Sequence, residues 1–161
     1  MRRIAFIAAA LVLLSIGVAA QDTTAAKPVK KAQYDAKLAK RLGGNDNGMR
    51  GYTFVMLRTG PNDAKYQGKE RDDLFAGHMA NIMRLADMGK LIVAGPFDKN
   101  DQGYRGIFIF TVTDVEEARK LVETDPTIKA GILVADIVPW WATAALMTIP
   151  EVHPKLMKPI K

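Results

Sequence analysis

Between Tyr52 and Val138 the chain alternates short β-rich runs with helical stretches in a fixed order, and that order limits the folds open to it more than any single residue does. Tyr52 to Arg58 (YTFVMLR) is dense in aromatic and β-branched side chains and stops at Thr59-Gly60-Pro61-Asn62-Asp63, a run of turn formers. The apolar spacing then predicts a helix from about Arg71 to Met88, with Gly89 where a helix C-terminus favours glycine. Lys90 to Phe97 reads as the next strand, closed by Gly95-Pro96, Asp98 to Gly103 as a hairpin loop, and Arg105 to Val112 (RGIFIFTV) as the third strand. Asp114, with Glu117 three positions on, is the N-terminal capping pattern of a second helix whose apolar positions are Val115, Ala118, Leu121 and Val122. Ile132 to Val138 (ILVADIV) is the last strand. The order β-α-β-β-α-β predicts an α+β, ferredoxin-like subunit: a four-stranded antiparallel sheet with two helices on one face.

The strands carry a second message. YTFVMLR, GIFIFTV and ILVADIV are apolar at odd and even positions alike, so the face away from the helices is apolar too and needs a cover. Face-to-face pairing of two sheets into a closed dimeric α/β barrel would bury about 800 Å² per subunit, a standard interface, and predicts a homodimer. The alternative is that Trp140 to Met147 folds back over part of that face.

Composition bounds the rest. Met1-Arg2-Arg3 precedes an apolar run from Ile4 to Ala20 that ends in small residues, the pattern of a cleaved export signal over residues 1–20. The expected location is periplasmic or secreted, with no stable membrane association after cleavage; an uncleaved anchor is the competing reading. The chain has no cysteine, so disulfides and thiolate metal sites are excluded. The net charge of +6 sits mostly outside the domain, because residues 21–50 carry seven basic and three acidic side chains while Gly51 to Lys161 carries fourteen of each. No nucleic-acid surface is implied. Residues 21–50 lack apolar periodicity beyond Tyr34, Leu38 and Leu42 and read as a flexible basic linker with at most one marginal helical turn. The domain is expected over 51–141, followed by a C-terminal tail over 142–161.

His78 is one of two histidines. On a helical wheel it shares one half with Leu74, Phe75, Met79, Ile82, Met83, Leu85 and Ala86, while Asp73, Asn81, Arg84 and Asp87 share the other. A side chain that titrates near neutral pH and points inward is either a hydrogen-bonded core residue or the acid/base of a buried site. Asp125-Pro126 is its candidate partner. An aspartate before proline also caps a short helix, here Pro126 to Ala130 ending at Gly131, and that reading needs no chemistry.

Gly77-His78-Met79, Leu85-x-x-x-Gly89-Lys90-Leu91, Ala94-Gly95-Pro96-Phe97 and Asp125-Pro126-x-x-x-Ala130-Gly131 together resemble the YciI-like proteins, over about Gly51 to Trp140. The resemblance implies a dimeric α/β barrel of ferredoxin-like subunits with a histidine–aspartate pair in a pocket, related in fold to muconolactone-isomerase-like enzymes. His78 and Asp125 match that pair, and Ala94-Gly95-Pro96 matches the turn beside it. The export signal, the basic leader and the tail Thr148 to Lys161 depart from cytosolic members, which leaves the substrate open. The expected activity is a cofactor-free lyase or isomerase moving a proton on a small hydroxylated ring or lactone-like molecule. In it His78 is the acid/base, Asp125 its orienting partner, and Gly95, Pro96 and Phe97 touch the ligand. Arg58, at the end of the first strand, is expected to hold a carboxylate or phenolate, unless it is simply solvated, and Phe97 and Trp140 to wall the pocket. With His153 in the tail, no metal-ligand spacing arises, and no phosphate loop or dinucleotide fingerprint is present. A non-catalytic small-molecule-binding module of the same fold is the alternative, and a purely structural pair is the third reading.

Overall fold

The computed structural model of the chain describes residues 33–158; the expected export signal at 1–20 and the leader as far as residue 32 lie outside them. The residues from Asp35 onward form one compact unit. Helix α1 (Ala36–Leu42) opens on Asp35, whose side chain accepts from the Leu38 N–H at 2.9 Å, and closes on Gly43 at φ 69°. Leu42 is buried, its carbonyl accepts from Arg50 Nη1 at 3.1 Å, and the helix packs against the turn at Ala144–Thr148. The expected flexible linker over 21–50 is therefore corrected for 36–50. So short a helix owes its stability to tertiary packing, which local periodicity does not register.

The elements that follow are β1 (Met49–Thr59), α2 (Gly68–Asp87), β2 (Leu91–Pro96), β3 (Tyr104–Phe110), α3 (Val115–Val122), α4 (Pro126–Lys129), β4 (Leu133–Thr143) and α5 (Ile149–Val152), with short 3-10 turns at Asp63–Lys65, Ala144–Thr148 and His153–Leu156. The sheet order is β2-β3-β1-β4 with every neighbouring pair antiparallel, the ferredoxin-like arrangement that the order of patterned segments predicted. Glycine ends α2 as expected: Gly89, at φ 66°, lets its own N–H reach the Ala86 carbonyl and the Lys90 N–H reach the Leu85 carbonyl. Pro139 lies in β4, an edge strand, where a missing N–H is tolerated. The boundaries expected at 51 and 141 both fall inside strands, since β1 starts at Met49 and β4 carries on through Ala142 to Thr143.

The main core lies between the helices and one sheet face, where Val55, Leu57, Phe108, Phe110 and Leu133 meet Leu85, Ala118 and Val122. A smaller cluster on the opposite face joins Tyr52, Ile92, Ile109 and Ala142, and Leu146 and Met147 from the turn after β4 pack against it. The chain thus covers one end of its second face with its own C-terminal segment, as the fold-back alternative expected. The rest of that face stays open, with Val138 and Trp140 exposed beside half-buried Phe54.

The inward face of α2 is rotated from the one expected. Asn81 is buried and Met79, Met83 and Ala86 are exposed, while Leu74, Phe75, His78, Ile82 and Leu85 face inward. The reason is polar rather than apolar: Asn81 Oδ1 accepts from Arg84 Nη2 at 2.7 Å and from Thr124 Oγ1 at 3.0 Å. The doubly bonded oxygen admits the amide to the interior, although its Nδ2 is buried without a partner among the described residues, and a count of hydrophobic side chains would exclude it.

Candidate active site

His78 sits in the middle of α2, one residue after Gly77. A methyl group built on Gly77 would lie 3.0 Å from Pro126 Cγ, so the bare glycine lets α2 approach the start of α4 closely enough for the two side chains that follow to meet. Asp125 is the N-cap of α4, and Pro126 occupies its first turn. The carboxylate divides its work between its two oxygens. Oδ1 accepts from the Thr127 N–H at 2.9 Å and from Thr127 Oγ1 at 2.7 Å, and Oδ2 accepts from His78 Nδ1 at 2.7 Å. The capping role and the histidine contact, which the sequence presented as alternatives, are held at once.

The Asp125 side chain is wholly buried and that of His78 is 12% exposed. Burial by itself raises the pKa of Asp125, but the hydrogen bonds from His78 and Thr127 and the attraction of the ring outweigh it and hold the carboxyl below its ordinary value. An ionised carboxylate only accepts, so Nδ1 carries the proton it donates, and in the neutral ring Nε2 keeps its lone pair. Tautomer and ring plane are set by the same contact. The ring stacks on Phe108 at 5.9 Å between centroids and meets the edge of Phe75 at 6.0 Å, which leaves it little freedom to turn.

His78 lines a cavity of about 310 Å³, within the size range of small-ligand sites. Its wall is apolar apart from His78 and Arg105, and Gly95, Pro96 and Phe97, which the sequence assigned to the ligand, are among the residues that line it. Arg58 and Trp140 do not line it, which corrects both expectations. They occupy the opposite sheet face, where Arg58 pairs with Asp136 at 2.7 Å and Trp140 packs at 5.9 Å on Phe54 and 6.1 Å on Tyr52. Alternation along β1 sends Val55 and Leu57 to the helix side and Phe54 and Arg58 away from it.

Three contributors went unread in the sequence. Thr127 looks like an ordinary first-turn residue until its hydroxyl is found on Asp125, although a threonine two positions after a capping aspartate is the available signal. Phe108 looks like core, which it also is. Arg105 was assigned to a strand without a role. Among the described residues, no three His, Asp or Glu side chains converge where they would share a metal ion.

Fold and site together define a ferredoxin-like domain with a carboxylate-held histidine on the wall of a small apolar cavity. A model of the YCII-related domain matches residues 53–141, and the chain belongs to that family. No curated protein matches it. Among solved structures it is similar to 5-chloro-2-hydroxyhydroquinone dehydrochlorinase from Burkholderia phenoliruptrix in complex with 2,5-dihydroxybenzoquinone, at 24% sequence identity and a TM-score of 0.41, over 55% of this chain and 92% of that one.

Proposed function

We propose that this YCII-family protein is a cofactor-free lyase or isomerase acting on a small hydroxylated-ring or lactone-like molecule, with His78 and Asp125 as its acid/base pair. The observation that carries the reading is the 2.7 Å contact between His78 Nδ1 and a fully buried carboxylate, on a ring that lines a cavity of ligand size. His78 Nε2 takes a proton from the bound molecule, and the imidazolium that forms is stabilised by Asp125. The electron pair left behind either shifts a double bond, with the proton returned at a second carbon, or expels a leaving group that accepts that proton. The apolar wall keeps bulk water from intercepting the proton between the two steps.

The test is turnover across a panel of hydroxylated quinols and small lactones, comparing wild type with His78→Ala. Loss of activity by about a hundredfold or more, with melting temperature nearly unchanged, is the expected result. Equal rates in both proteins sink the catalytic role. No turnover anywhere on the panel, with ligand affinity kept in His78→Ala, favours a non-catalytic binding module.

The reading extends to location and assembly. The basic and apolar start of the chain supports export, checked by the mass of the protein recovered from expressing bacteria: a mature N-terminus at Gln21 is expected, and an intact Met1 in the cytosol counts against it. Exposed Val138 and Trp140 beside Phe54 support a homodimer through the open part of the second face. A monomeric mass by light scattering at micromolar concentration overturns that assembly.

A further inference from the structure

The cavity that holds His78 contains one permanently charged side chain, Arg105. It arrives there through an irregularity in the β1–β3 ladder. Leu57 is opposite Gly106 and Arg58 is opposite Tyr104, which leaves Arg105 as the extra, unpaired residue of a β-bulge. Regular alternation would place Arg105 with Ile109 on the far face of the sheet. The bulge turns it to the face of Phe108 instead, onto the cavity wall.

Among the described residues the Arg105 guanidinium makes no side-chain hydrogen bond, and its one ion pair is loose and shared. Its nearest acidic neighbour is Asp63, 3.7 Å from Nη1, beyond hydrogen-bond distance. Asp63 is engaged by Arg71, whose Nη2 donates to Oδ1 at 2.8 Å and whose Nη1 donates to the backbone carbonyl at 3.0 Å. Two guanidiniums face one carboxylate, and the one without hydrogen bonds is the one on the cavity. Arg105 and Phe97 also line an adjoining recess of about 450 Å³ beneath the Asp98–Gly103 loop, where Asp98 and Lys99 offset one another. On the other side of Arg105 the wall is aromatic and aliphatic, with Phe75, Phe108 and Ile82 around His78.

We infer that Arg105 is the anion-binding residue of this site, and that the ligand is a flat, apolar molecule bearing a carboxylate or phenolate oxygen at the Arg105 end. This rests on the proposed use of the His78 cavity, but it fixes what is bound and not what is done to it. A planar guanidinium with free donors matches either oxygen chemistry, and a cavity poor in other polar groups strengthens the contact by excluding water. The phenyl-sized body stacks among Phe75, His78 and Phe108, with the anion outward.

The test measures binding by calorimetry to the mature chain, using three anions each paired with an uncharged analogue: benzoate with benzamide, phenylacetate with phenylacetamide, and para-nitrophenolate with para-nitroanisole. At least one anion is expected to bind about tenfold or more tightly than its neutral partner, and the preference is expected to weaken with added salt. The carboxylate and phenolate arms tell the two oxygen chemistries apart. Arg105→Gln should remove the preference, whereas Arg58→Gln, altered on the opposite sheet face, should keep it. His78→Ala should keep it as well, so a failed catalytic proposal and a failed anion site give different results. Equal binding of every charged and neutral pair to wild type, or a preference that survives Arg105→Gln, overturns the inference.

Discussion

Asp125 accepts three hydrogen bonds on two oxygens and has no exposure to water, so small changes around it should be felt strongly. Thr127→Val removes the hydroxyl that donates to Oδ1 at 2.7 Å while keeping the backbone donor. We expect a loss of about 1–3 kcal/mol in unfolding free energy, measured by urea denaturation. Asp125→Asn replaces an acceptor-only group by an amide that serves Nδ1 poorly, and should cost more. Its pH dependence has a definite sign. Because the native carboxyl is held below its ordinary pKa, the stabilisation is present above that ordinary value and is lost as pH falls through the lower native one. The stability gap between wild type and Asp125→Asn should therefore shrink in acid, with nothing comparable between pH 6 and 8 arising from this group. A gap that stays constant down to strongly acid pH is inconsistent with an ionised native Asp125. The inward helix position of His78 and the capping position of Asp125 were legible in the residues themselves, while their pairing was carried chiefly by the family resemblance. The role of Thr127 was not, since it depends on a side-chain rotamer.

At the scale of elements, the approach of α2 to α4 is set at one residue. Gly77→Ala would gain helix propensity, about 1 kcal/mol, but would place a methyl 3.0 Å from Pro126 Cγ. The two effects oppose one another in stability and not in function, because any displacement separates His78 from Asp125. We expect a melting temperature within a few degrees of wild type and turnover reduced about tenfold. A variant with full activity would show that the helices do not need this contact distance. Strand and helix order were readable because the helices keep a helical period and the strands are β-rich runs bounded by turn formers. Two elements were not. Helix α1 is short and exposed on most of its surface, and its anchors lie outside it, Arg50 eight residues beyond Leu42 and the turn after β4 far along the chain. The bulge at Arg105 leaves no trace in the run RGIFIFTV, so nothing in the sequence marks Arg105 as a residue of the site.

For the molecule as a whole, the second sheet face is the feature most open to experiment. Leu146 and Met147 cover Tyr52, which is 1% exposed and whose pKa is raised by that burial, with Arg50 pulling partly the other way. Replacing both residues by alanine should cost about 2–4 kcal/mol, since each is only partly buried, and should lower the pKa of Tyr52 in a spectroscopic titration. Unchanged stability would mean that the segment rests on the sheet without supporting it. The sequence announced two apolar faces but not how much of the second this segment would cover, because that depends on where a tail of mixed polarity comes to rest. The bulge in the β1–β3 ladder carries a consequence for how such proteins diversify. Since Arg105 is supernumerary to the pairing, removing one residue there would restore an uninterrupted ladder and withdraw the charge from the cavity, leaving the histidine–aspartate pair where it is. Insertion or loss of a single codon is then enough to change which molecules the cavity accepts, while the architecture that holds the reacting groups is inherited intact.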